Sequence, residues 1–142
     1  MLGADKLKIR SDSMGDGQFG APRGDKTHRG IDYLTYEGQP ILSPVAGSVS
    51  KLGYCYGSGI GGATSPDPLR YVEVTHHTDR SRHRFFYVRG YVNVGDIVSK
   101  NQVVCFADDV CRRYPNSAMQ SHVHYEIINA QGEYVDPSLI DG

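Results

Sequence analysis

A chain of 142 residues fits one ordinary domain, and its formal net charge of -1, from 15 basic and 16 acidic residues, excludes the electrostatic case for a nucleic-acid or anionic-membrane partner. Its 17 glycines, 10 tyrosines and 7 prolines favour short strands joined by tight turns. Uncharged apolar stretches run only a few residues, and Asp5, Lys6 and Lys8 stand where an export signal needs an apolar run, so neither a membrane span nor a signal peptide is visible.

At the N-terminus, Ser11-Asp12-Ser13-Met14-Gly15-Asp16-Gly17 follows neither a helical nor a strand period. Residues 1–16 are therefore expected to form a flexible, at most loosely docked arm, and residues 17–142 the domain. From Ile31 onward short apolar runs recur between turn signals, at 31–36, 40–42, 47–52, 71–76, 84–88, 96–99, 103–107 and 122–128. This spacing predicts an all-β domain built on an antiparallel β-sheet. In the fourth run Glu73, Thr75 and His77 alternate with Val72, Val74 and His76, which predicts a strand with one wet face. The glycines between Gly57 and Pro68 are followed by no helix start, so they read as a flexible loop and not as a phosphate cradle. His77 and the run Arg80, Arg82, His83, Arg84 read as solvated strand-end and turn residues. Cys55, Cys105 and Cys111 lack paired CxxC spacing and make one internal bridge at most; a Cys105–Cys111 pair and three free thiols both remain open.

Two segments concentrate metal-binding residue types: His28-Arg29-Gly30-Ile31-Asp32 and His122-Val123-His124. Residues two apart on a strand share a face, so His122 and His124 look into one cleft. His28 and Asp32 would stand roughly 13 Å apart on an extended strand, too far to share an ion, and Gly30 permits the bend that brings them together. Imidazole and carboxylate donors suit zinc, and three protein ligands leave a fourth position for water, which is the catalytic arrangement. His122 is then the candidate base beside the ion.

These residues resemble the lysostaphin/LytM-type zinc metalloendopeptidases. Gln18-Phe19-Gly20-Ala21-Pro22-Arg23 leading into His28-Arg29-Gly30-Ile31-Asp32 is similar to that family's entry strand and HxGxD motif, and His122-Val123-His124-Tyr125-Glu126-Ile127 to its HxHxE strand. Ile41 to Val49 resembles the next hairpin, Val94-Gly95-Asp96-Ile97-Val98 the VxxGDxV turn, and Val135-Asp136-Pro137 the closing segment, so the resemblance spans about residues 17–140. It implies a LytM-like sheet with a surface groove holding one zinc on His28, Asp32 and His124. It also implies His122 as a catalytic histidine and hydrolysis of the peptide cross-bridges of peptidoglycan, hence action outside the cytoplasm by a phage-delivered, secreted or periplasmic protein. One departure stands out. The family's second catalytic histidine lies in a YxHL segment, matched here by Tyr87-Val88-Arg89-Gly90, which puts Arg89 in its place as an oxyanion donor and implies slow or narrowly specific turnover. Loss of that histidine, with the run from Tyr114-Pro115 to His124, also resembles leukocyte cell-derived chemotaxin-2. That branch implies the alternative of a zinc-binding signalling or wall-binding module without turnover.

Overall fold

The computed structural model describes residues 8–12, 15–23, 26–115 and 117–139. Two short ladders come first, β1 (Ser11–Asp12) with β2 (Gly15–Asp16) and β3 (Pro22–Arg23) with β4 (Lys26–Thr27). The main sheet follows: β5 (Ile31–Leu34), β6 (Pro40–Leu42), β7 (Gly47–Tyr54), β8 (Arg70–His76), β9 (Arg82–Gly90), β10 (Ile97–Val98), β11 (Val103–Ala107), β12 (His122–Ile128) and β13 (Tyr134–Val135). Its strand order is β10-β7-β8-β9-β11-β6, and β12 adds to β9 with β5 and β13 beside it. Every pairing is antiparallel. Apart from 3₁₀ turns at Val110–Arg112 and Pro137–Leu139, the described residues hold strands and loops alone, as the all-β reading of the sequence expects.

The long strand β9 organises the sheet. Over Arg82–Phe86 it pairs with β12, and over Val88–Gly90 with β11. On its other side, Phe86 faces Tyr71 and Val88 faces Arg70, so Tyr87 is left over as a bulge residue with φ at +71°. A bulge bends its strand and shifts the two-residue period. Accordingly His83 and Phe85 point into the core before it, and Val88 after it. The core is aliphatic and aromatic, with Val49, Val72, Val74, Phe85, Val104, Tyr125 and Ile127 all buried. Phe85 stacks on Tyr125 across the β9–β12 pair, centroids 5.2 Å apart.

Two expectations change on this frame. Glu73 is buried, not wet, because the Arg84 Nε donates to its Oε2 at 2.6 Å and the Ser50 hydroxyl donates to its Oε1 at 2.8 Å. A paired carboxylate tolerates burial that a lone one does not. His83 is fully buried, not a turn residue, with Ser81 and Tyr125 as polar partners. Within the segment expected to form an arm, Leu34 N–H donates to Lys8 O, Arg10 N–H donates to Asp32 O, and β1 pairs with β2. The rest of that segment lies outside the described residues. All three cysteines are free, Cys105 in the core.

Candidate metal centre

Neighbouring strands bring the two sequence segments together. β12 pairs with β5 in the register that sets His124 opposite Asp32 and His122 opposite Leu34. His28 enters just before β5. Gly30 makes the approach possible, since a Cβ there would collide with the Tyr125 carbonyl oxygen and the His124 ring. His28 Nε2, Asp32 Oδ1 and His124 Nδ1 then converge: 3.0 Å between the two nitrogens, and 3.1 Å and 2.9 Å from them to the carboxylate oxygen.

The outward nitrogens of the same rings have their own acceptors. His28 Nδ1 donates to Gln18 O at 3.0 Å, and His124 Nε2 to Glu126 Oε1 at 2.8 Å. With those protons committed outward, two imidazole lone pairs and a carboxylate oxygen face one another, which is stable only with a proton or a cation among them. A tetrahedral zinc with ligands at about 2.0–2.1 Å holds its donor atoms roughly 3.3 Å apart, so a few tenths of an ångström of expansion would seat one. The donor set therefore fits one divalent ion.

The electrostatics agree. Burial opposes charge on Asp32, but hydrogen bonds from His124 and His28, with His122 close by, hold its carboxyl well below the usual range. Burial would likewise lower His124, yet its bonds to Asp32 and Glu126 hold it up at about 9. Arg10, only 4 % exposed, donates from Nη1 to Asp32 Oδ2 at 3.0 Å and from Nε to Asp12 at 2.9 Å.

His122 stands beside this group without joining it. Its Nδ1 donates to Gln120 O at 2.7 Å, which leaves the Nε2 lone pair facing the cleft, 3.6 Å from Asp32 Oδ2. Burial pushes its pKa down against the pull of Asp32, so the ring is neutral and basic at neutral pH. The cleft holds about 430 Å³, with Tyr56, Phe86, Tyr87 and Tyr114 on its walls.

Arg89 is not brought to this group. It is half exposed and pairs with Asp108 at 3.2 Å and Asp67 at 3.4 Å, on the wall of a separate groove of about 490 Å³ with Tyr54 and Arg70. The bulge is the physical reason: Tyr87, the extra residue, takes the cleft-facing place on β9, and the strand beyond turns to β11. Tyr87 and Arg10 are among the cleft residues to which the motif reading gives no role. Tyr87 lies inside a motif that a residue count matches without a break, and Arg10 lies in a segment without periodicity.

The model of peptidase family M23 matches residues 26–137. The chain belongs to peptidase family M23. A curated relative, an uncharacterized metalloprotease of Haemophilus influenzae, is 25% identical over 115 residues, 81% of this chain and 21% of that protein. This M23 chain thus spans about a fifth of its relative's length. A catalytic-domain mutant of the prophage-encoded M23 protein EnpA from Enterococcus faecalis superposes with a TM-score of 0.64 at 21% identity, covering 98% of this chain and 95% of that one. The catalytic domain of lysostaphin from Staphylococcus simulans, an antimicrobial peptidase, gives 0.64 at 19% identity, over 87% and 86%. The two structures share the fold with this M23 chain. Membership implies a metal, and the His-Asp-His group has the donor atoms that could hold one.

Proposed function

We propose that the chain is a zinc metalloendopeptidase that hydrolyses peptide cross-links of bacterial peptidoglycan, with zinc on His28, Asp32 and His124 and with His122 as its acid–base residue. The observation that carries this reading is the convergence of two imidazole lone pairs and one carboxylate oxygen, each ring fixed by an outward acceptor. Zinc bound there would polarise a scissile carbonyl and bring the pKa of a water toward 7. His122 accepts a proton from the attacking water at Nε2 and returns it to the leaving amine nitrogen, while the bond to Gln120 O keeps the ring in the tautomer that can do so. Glu126 and Gln18 hold the other two rings in orientation. Lysostaphin, an antimicrobial peptidase, and a prophage-encoded M23 protein share the fold, and this supports a cell-wall substrate. That substrate places the action outside the cytoplasm, by phage delivery, secretion or a periplasmic location.

Zinc-loaded protein incubated with purified peptidoglycan of several wall types is expected to release new amine termini, and Asp32→Ala to release none. If the wild type carries one zinc per chain and still releases none from any wall type, the peptidase reading fails and the zinc-binding module without turnover replaces it.

A further inference from the structure

Among the described residues, the cleft holds three histidines, and two of them belong to the metal-binding group. Hydrolysis of an amide also needs a donor for the oxyanion that forms on the scissile carbonyl. Arg89 points elsewhere. We propose that Tyr87 is a catalytic residue of this cleft, its phenol donating a hydrogen bond to that oxyanion. The assignment rests on the peptidase reading above.

Four observations place the phenol in this role. Tyr87 lines the cleft with His28, Asp32, His122 and His124, and its ring meets His122 edge-on, 5.5 Å between centroids at 88°. Its φ of +71° is a conformation that a bulky side chain rarely adopts, and such outliers persist where surrounding contacts over-determine them. Here the strand changes partner at that residue, and Asp108 N–H binds the Tyr87 carbonyl at 2.9 Å. The bulge turns the side chain to the cleft face beside Phe86, out of the core that the strand's period would give it.

Beyond this, Tyr87 ends a chain of phenols. Tyr114 and Tyr56 are 3.1 Å apart oxygen to oxygen, and Tyr56 and Tyr87 3.2 Å. If Tyr114 donates to Tyr56 and Tyr56 to Tyr87, the one proton without an acceptor in the chain is that of Tyr87. Each donated bond makes the next hydroxyl a better donor. The Arg113 guanidinium, 3.6 Å above the Tyr56 ring, strengthens the same polarisation. Burial pushes the Tyr87 pKa well above its ordinary range, so the phenol stays protonated at neutral pH.

In the reaction, the water oxygen bonds to the carbonyl carbon, and the carbonyl π electrons move to its oxygen, which accepts the Tyr87 hydrogen bond. The water proton passes to His122 Nε2 and then to the amide nitrogen. The C–N bond breaks as the carbonyl re-forms, the amine leaves, and the acid product loses its remaining proton. Tyr87 keeps its proton throughout, so no oxidant or co-reactant is needed.

Inorganic phosphate, a tetrahedral oxyanion, separates this assignment from turnover. Zinc-loaded wild type, Tyr87→Phe and Tyr56→Phe are compared for zinc content, melting temperature and phosphate affinity by calorimetry, then for amine release from peptidoglycan. Tyr87→Phe is expected to keep one zinc and bind phosphate at least tenfold more weakly, the cost of one hydrogen bond to a charged group. Its cleavage rate is expected to fall about 10²-fold, the loss seen when one oxyanion donor is removed. Tyr56→Phe, which leaves the Tyr87 hydroxyl in place, is expected to lose less than Tyr87→Phe in both readouts. Equal phosphate affinity in wild type and Tyr87→Phe, including none in either, overturns the assignment, as does a Tyr56→Phe loss as large as that of Tyr87→Phe. Wild type that releases no amines while Tyr87→Phe loses phosphate overturns the peptidase reading and leaves the oxyanion site standing.

Discussion

Protonation of His83 is expected to weaken the fold between pH 6.5 and 4. The ring is fully buried between Ser81 and Tyr125. Ser81 Oγ lies 2.8 Å from Nε2 and the Tyr125 hydroxyl 2.8 Å from Nδ1, while the Ser81 hydroxyl donates to Asp79 Oδ1 at 2.6 Å. In that chain Nε2 donates to Ser81, so Nδ1 must accept from Tyr125, and the ring is neutral. A second proton would make Nδ1 a donor and deprive the buried Tyr125 hydroxyl of its acceptor. Burial, with a smaller push from His76 and a small opposing pull from Asp79, lowers the pKa from 6.5 to about 4. The folded value lies below the unfolded one, so between the two the unfolded chain binds more protons. The stability from neutral His83 is therefore complete above pH 6.5, is lost as pH falls toward 4, and changes no further below that. At 1.36 kcal/mol for each tenfold change, the loss is on the order of 3 kcal/mol. An unfolding entropy of about 2.1 cal/mol/K per residue makes that roughly 10 °C of melting temperature for a chain of this length. Thermal unfolding at pH 7, 5.5 and 4, in chelator so that metal release does not contribute, is compared between wild type and His83→Gln. The variant has a different absolute stability and is expected to lose the His83 part of the pH slope. An identical slope in both proteins would refute the reasoning.

Two further outcomes are expected. Zinc at a thousandfold excess over its dissociation constant stabilises the fold by about 4 kcal/mol, so chelation is expected to lower the melting temperature by roughly 14 °C while circular dichroism still shows a folded sheet; a fully unfolded apo protein would contradict the apolar core's independence of the ion. Removing one partner of a buried ion pair costs about 3–5 kcal/mol, so Arg10→Ala in the metal-free protein is expected to lower the melting temperature by roughly 10 °C or more and to weaken zinc binding in a chelator competition, and an unchanged melting temperature would deny Arg10 its place against Asp32.

The strand β12 was legible because both periods it obeys are strict. His122, His124 and Glu126 alternate with Val123, Tyr125 and Ile127, and the structure puts the first set to the cleft and the second into the core. The His28–Asp32 pair was legible through Gly30, though the structure gives a sharper reason than backbone freedom: the carbonyl of Tyr125 and the ring of His124 pass where a side chain would be. Glu73 and His83 were misread for a shared reason. Alternation and local charge report which face a residue takes, not whether a distant strand brings Arg84 or Tyr125 to satisfy it. Arg10 was hidden because its segment has no periodicity, and its order comes from bonds to β5 and to Gln120's loop through Asp12.

Tyr87 shows where pattern reading fails for a physical cause. A motif is matched by counting residues, and counting assumes that each residue advances the strand by one pleat. At Tyr87 the chain advances one residue without advancing the ladder, because β9 leaves β12 and takes up β11 at that point. Arg89, assigned by count, therefore lands beyond the branch, among Asp67 and Asp108, and the tyrosine that opened the motif stands beside His122. The branch is also what gives the cleft its far wall. A β9 that ran straight would keep pairing with β12 and turn residue 87 toward the core, as residues 83 and 85 turn. The feature that displaces the expected residue is thus the same one that shapes the cleft around the His-Asp-His group.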